Sequence, residues 1–202
     1  MEMLLERSVV NADIADRDGR TPLSLATAPM YDSWRSEEAW KKVIRMLLER
    51  NDVNPDSADK CGRTPLSWAA RYGRGEIVRM LLERTDVNPD TADKSGRTPL
   101  SWAAENGNEE IVRMLLEQNG VNPHTTDEGG RTPFLWTAGL GTGWSTQEGC
   151  KRVIEILLER NDVNLDSADK CGRTLLSWAA GNGRQEIVRM LLERNDVTRC
   201  GG

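Results

Sequence analysis

The chain has 202 residues, 29% of them charged and 38% hydrophobic, and its 27 basic against 32 acidic side chains give a net charge of -5 at pH 7. That balance argues against a phosphate-neutralising surface, which needs an excess of Lys and Arg on one face, and indicates solubility instead. The longest uncharged run, Thr132 to Gln147, is too short and too rich in Gly, Ser and Thr to span a bilayer.

At the N-terminus, MEMLLER has no basic n-region and its apolar run stops at Glu6, so it is no signal peptide. Met1 to Leu5 reads instead as a second helix without its first. The segment GRTPLSLAT at Gly19 then opens a series: GRTPLSWAA appears verbatim at Gly62 and Gly96, GRTPFLWTA at Gly130 and GRTLLSWAA at Gly172. These glycines stand 43, 34, 34 and 42 residues apart, so a 34-residue period holds in the middle and the first and fourth copies carry insertions. A unit this short cannot bury its own apolar face and must stack on its neighbours. The expected organisation is one continuous all-α solenoid of stacked helix-turn-helix units with finger loops. It comprises a half repeat at 1–15 and five repeats at about 16–58, 59–92, 93–126, 127–168 and 169–202.

Repeat one carries PMYDSWRSEEAWKK from Pro29 to Lys42, followed by VIRMLLE, which lengthens the second helix with Ser36 as its cap. Repeat two shows the uninterrupted pattern. Thr64 before Pro65 suits an N-cap followed by proline at the first helical position, Leu66, Ala69 and Ala70 share a stripe, and Gly73 ends the helix in a left-handed turn. A second helix from Gly75 to Arg84 sets Ile77, Leu81, Val78 and Leu82 at i, i+4 spacing, with Glu76, Arg79 and Glu83 on a solvated back. From Thr85 to Gly96 the chain is dense in Asn, Pro, Asp and Gly and reads as a finger of turns. Repeat four is interrupted by GLGTGWSTQEGCKR from Gly139 to Arg152, with a capping-box pattern at Ser145 and Glu148. In repeat five Leu175 replaces the proline and weakens the helix start. Ile187, Val188, Leu191 and Leu192 then repeat the interior pattern where a terminal cap should be more polar, so the chain reads as cut from a longer array or as associating end to end.

Chemistry-bearing motifs are sparse. Cys61 and Cys171 lie three stacking steps apart at roughly 10 Å each, against a disulfide limit of about 7 Å between Cα atoms, so they neither bridge nor share a metal. Cys150 falls in an insertion and Cys200 in the tail, which favours a reducing intracellular setting. His124 is the sole histidine and lies in a finger, and no CxxC, HExxH or phosphate-cradling glycine loop occurs. No metal, cofactor or catalytic residue is expected.

Helix, tight turn, helix and extended finger, carried by GRTPLSWAA, the Gly73 turn, IVRMLLE and DVN over nearly the entire chain, resemble the ankyrin repeat. Two departures stand out: Ser24, Ser67, Ser101 and Ser177, or Leu135, occupy the usual His position after TPL, and the finger is about two residues longer than the commonest form. The likeness between copies is similar to that of ankyrin arrays in filamentous fungi, some of which end NOD-like receptor chains. The resemblance implies a non-enzymatic module that binds a protein partner through a concave groove, with no nucleic acid and no membrane. Two other readings stay open, the ligand-sensing array of a signalling receptor and, more remotely, a small-molecule enzyme using the tryptophans.

Comparing copies locates candidate residues. Arg71 and Tyr72 face Glu105 and Asn106 or Gly181 and Asn182 at equivalent positions, while Arg74 and Gly75 face Asn108 and Glu109, and Cys61 faces Ser95. The resemblance puts these at first-helix ends and finger tips, where variation marks either unconstrained drift or diversified recognition. Trp68, Trp102, Trp136 and Trp178 form a ladder that either packs on the next repeat or faces a ligand. Arg20, Arg63, Arg97, Arg131 and Arg173 form another, beside Asp16, Asp59, Asp93, Asp127 and Asp169, read as inter-repeat ion pairing or as a surface for an anionic partner. The partner-binding set is therefore Lys60, Arg63, Trp68, Arg71, Tyr72, Lys94, Arg97, Trp102, Glu105 and Asn106. Tyr31, Trp34 and Trp144 join it on the two projecting insertions, because loops that depart from a regular scaffold carry function.

Overall fold

The structure, a computed structural model, describes residues 10–28, 37–138, 147–160, 163–164 and 166–199. Helices come in pairs: α1 (Pro22–Thr27) and α2 (Glu37–Leu48), α3 (Pro65–Arg71) and α4 (Gly75–Leu82), α5 (Pro99–Asn106) and α6 (Glu109–Leu116), α7 (Pro133–Trp136) and α8 (Gln147–Glu159), α9 (Leu175–Gly181) and α10 (Gln185–Arg199). The odd-numbered helices stack on one another in chain order and form one layer. The even-numbered helices do the same behind them, so each repeat contributes one helix to each layer. The described residues contain no strand, only an isolated bridge between Ala168 and Thr174.

Every first helix starts the same way. Thr21, Thr64, Thr98, Thr132 and Thr174 sit in extended backbone and their hydroxyls accept the N–H three residues on, which satisfies one orphan donor of the first turn. The serine that departs from the family pattern completes this cap, since the Ser67 and Thr64 hydroxyls lie 3.2 Å apart. Leu175 does not prevent a start: α9 has 7 residues, as α3 does, with Thr174 capping Ser177 N–H. The threonine sets the start and the proline only assists it. The first insertion lengthens its second helix as expected, to 12 residues in α2, and the second does the same, to 13 in α8, against 8 in α4 and α6. Ser36 and Ser145, expected as their caps, lie outside the described residues.

Helices of 7 or 8 residues are shorter than the roughly 12 to 15 at which an isolated helix persists, so packing holds them. Leu66, Leu100, Leu81 and Leu115 are fully buried, and Ala69, Ala70, Ala103 and Ala104 let adjacent backbones close in. Gly107 needs both of its freedoms. Its φ is 68°, and a Cβ there would meet the Cys150 backbone nitrogen at 2.8 Å. On the back, Glu76, Arg79 and Glu83 are exposed, and Arg79 crosses to Glu110 of the next repeat at 2.9 Å. Of the four apolar residues expected to make the last helix adhesive, Ile187 and Leu191 are buried against the core and Val188 is half-buried, leaving Leu192 exposed. No helix among the described residues is long and apolar enough to cross a membrane.

The fingers are tied by main-chain bonds. Lys60 N–H donates to Asp18 C=O at 2.8 Å, Lys94 to Cys61, Glu128 to Ser95 and Lys170 to Gly129 at 2.9 Å each. The four finger-tip side chains therefore stand in one row beside the first-helix layer.

Candidate functional site

Each finger aspartate organises its own repeat. In repeat two one oxygen of Asp59 accepts the Cys61 and Arg63 N–H groups at 2.8 and 3.0 Å, while the other accepts Arg63 Nε at 3.0 Å and Trp68 Nε1 at 3.2 Å. Asp169 repeats all four bonds with Cys171, Arg173 and Trp178. The arginine and aspartate ladders thus pair within repeats, not between them as expected from sequence. The reason is local: a glycine with φ near 80° at Gly62 closes the turn and returns Arg63 to Asp59 four residues earlier. The indole N–H as third partner of the carboxylate was missed; the nine-residue spacing from Asp59 to Trp68, Asp93 to Trp102 and Asp169 to Trp178 accompanies that bond, while Asp127 and Trp136 keep the spacing without it.

Guanidinium groups stack on indoles both within and between repeats. Within a repeat Arg63 lies 4.0 Å from the Trp68 centroid, Arg97 3.4 Å from Trp102 and Arg131 4.1 Å from Trp136, and between repeats Arg71 lies 4.5 Å from Trp102 and Arg97 3.7 Å from Trp136. These contacts are attractive through the ring quadrupole and strengthen when desolvated. Trp68, Trp102 and Trp136 are buried in this stack and Trp178 is half-buried.

Repeat three departs from the pattern. Asp93 keeps its two backbone donors and Trp102 Nε1, but the Arg97 guanidinium turns away to Glu105 and inserts between two indoles. Glu105, expected at an exposed variable position, is buried by this ion pair, and Arg97 is buried with it. Burial pushes the Arg97 guanidinium below its ordinary range, opposed by the Glu105 charge. Arg97 Nε and Trp136 Nε1 are buried without a hydrogen-bond partner. Asn106 folds back to donate to Trp102 C=O at 2.9 Å.

Repeat two presents what repeat three conceals. Tyr72 is 41% exposed and stacks on Trp68 at 5.7 Å with planes 5° apart. Arg71 is half-buried, with its guanidinium carbon 5.7 Å from the Tyr72 ring and near Trp102. Lys60 and Lys94 are exposed at the finger tips. The structure brings Arg63, Trp68, Arg71, Tyr72, Arg97, Trp102 and Glu105 into one connected cluster, while Tyr31, Trp34 and Trp144 lie outside the described residues. Cys61 and Cys171 are exposed and unpaired. No group of three or more His, Cys, Asp or Glu side chains that could hold a metal occurs among the described residues.

A model of the family described as ankyrin repeats (3 copies) matches residues 36–127 and 119–199. The crystal structure of an ankyrin repeat protein, EF0377, superposes with a TM-score of 0.76 at 24% sequence identity, covering 95% of this chain and 89% of that one. Among curated proteins, no sequence matches the chain. With capped first helices, a second layer behind them and matches across most of its length, this chain belongs to the ankyrin-repeat family.

Proposed function

We propose that the chain is a non-enzymatic protein-interaction module that recognises its partner on the first-helix and finger face of repeats two and three, extended by the two insertions. Ankyrin repeats are in general protein-interaction modules. The observation that carries the reading is Tyr72, exposed on a face whose other aromatic rings are covered. Stacked on Trp68 and flanked by Arg71, it offers a rigid amphipathic anchor at small entropic cost, as interface hot spots do.

The test uses a partner isolated by affinity capture on the purified array. Replacing Lys60, Arg71, Tyr72 and Lys94 together by Ala costs about 2 kcal/mol or more of binding free energy by calorimetry. Thermal melts check that the variant stays folded, since Arg71 is half-buried against Trp102 and Tyr72 stacks on Trp68. Replacing Glu76, Arg79 and Glu83 on the back leaves binding intact. Equal losses from both faces reject this surface, and a loss seen only on trimming 31–36 or 141–146 assigns recognition to the insertions.

A further inference from the structure

We infer that this face takes an acidic, extended peptide segment, with a partner carboxylate on the Arg71 guanidinium, further acids along Lys60 and Lys94, and an apolar side chain on the Tyr72 ring. The inference rests on the recognition surface proposed above and specifies the partner's chemistry. It follows from how charge is sorted across the molecule. Although the chain carries a net -5, the acids of this face are consumed internally: Asp59 by Arg63 and Trp68, Asp93 by backbone donors and Trp102, Glu105 by Arg97. All three are buried. The cations that remain on this face of repeats two and three, Lys60, Arg71 and Lys94, have no carboxylate in salt-bridge reach among the described residues. On the back the opposite holds, since Arg79 and Arg113 are paired with Glu76, Glu110 and Glu109.

Arg71 is suited to the task by its support. Held against Trp102 and Tyr72 with its donors uncommitted, the guanidinium meets a carboxylate as a fixed fork and loses little freedom on binding. The row of finger tips continues as exposed Arg17 on one side and turns acidic at exposed Glu128 on the other. A cationic surface beside tryptophans also suggests single-stranded nucleic acid, which binds by stacking bases on free aromatic faces. That reading is disfavoured here: Trp68 is covered by Arg63 and Tyr72, and Trp102 and Trp136 by Arg97.

The experiment measures fluorescence anisotropy of three labelled probes against the full chain at low salt: a repeated Asp-Glu-Leu peptide, its charge-reversed Lys-Arg-Leu counterpart and an oligothymidylate. The acidic peptide binds, and binding weakens as salt screens it. Replacing Lys60, Arg71 and Lys94 by Gln weakens it at least about tenfold. Replacing Arg79, Arg113 and Arg189 by Gln, which removes the same charge from the back, leaves it within about twofold. Arg71→Lys keeps the charge without the fork and falls between the two, and circular dichroism melts confirm that each variant is folded. Tighter binding of oligothymidylate, equal binding of the basic peptide, or equal losses from front and back overturn the inference. If the acidic peptide fails to bind while the front variants still lose a captured partner, the acidic class is wrong and the surface stands. If front and back variants lose that partner equally, the surface itself is wrong.

Discussion

Trp102 and Trp178 occupy the same place in nearly identical segments, PLSWAA and LLSWAA, yet live in different surroundings. Their local wiring agrees: Thr98 and Thr174 cap the helix, and each indole donates to its finger aspartate at 3.2 and 3.1 Å. Their burial does not. Ser101 and Ala104 are buried whereas Ser177 and Ala180 are exposed, and the Arg97 side chain is 10% accessible against 48% for Arg173. Arg97 sits between two indoles and Arg173 covers one. Hydrogen bonding here is a property of the single repeat. Removal from water is a property of the pair, because only a following repeat can cover the exposed side.

Four substitution pairs would break or sharpen that contrast. Leu100→Ala costs about 3 kcal/mol, the usual range for a buried leucine, whereas Leu176→Ala at the equivalent half-buried position costs about 1 kcal/mol; urea unfolding at constant m value separates them. Equal costs would refute the division between centre and end. Glu105→Ala leaves the Arg97 charge buried without its partner and costs about 3 kcal/mol. Gly181→Ala, at the same place in repeat five, changes stability by less than about 1 kcal/mol and in the favourable direction, which thermal melts resolve. Thr98→Ala and Thr174→Ala each cost about 1 kcal/mol because a cap is a local device; unequal losses on thermal denaturation would show that capping also depends on stacking.

The smallest effect is one of pH. One oxygen of Asp90 is buried without a partner, the other accepts Asn122 N–H at 3.3 Å, and burial raises the carboxyl's pKa above 3.8. A raised folded value means that wild-type stability is complete below 3.8 and declines as pH climbs through the folded pKa. Asp90→Asn therefore stabilises the fold at pH 7 by no more than about 0.5 kcal/mol after solvent screening, read as a higher melting temperature, and the gain disappears at pH 3. Asp166→Asn, at the exposed counterpart in the finger of repeat five, changes stability by no more than about 0.5 kcal/mol, as exposed substitutions do.

Elements with a local cause were legible in the sequence. The capping Thr gives each first helix its start, Gly73, Gly107 and Gly183 give three of them a left-handed end, and the i, i+4 apolar pairs of IVRMLL give the second helices their buried face. That each unit stacks on its neighbours followed from the period. What could not be read was the partner choice of long side chains. An arginine four residues after an aspartate and one repeat from the next aspartate fits either pairing, and only the turn geometry decides it. Glu105 looked like a surface variable because its counterparts are Arg71 and Gly181. Its burial requires Arg97 to leave Asp93, a choice made by three side chains together. Comparison of the copies singled out Arg71 and Tyr72 as variable positions, but not that the rings beside them are covered.

The stitching between fingers has a consequence for how such a chain can change. The linking donor at Lys60, Lys94, Glu128 and Lys170 is the peptide N–H, indifferent to the letter above it. Proline alone cannot serve as that link. The tips can be rewritten, charge included, without unpicking the seam, and a whole unit can be duplicated or excised with the seam closing again at the same atoms. Length and lettering are thereby edited independently, and a lineage can revise what the surface reads while the fabric beneath it keeps its weave.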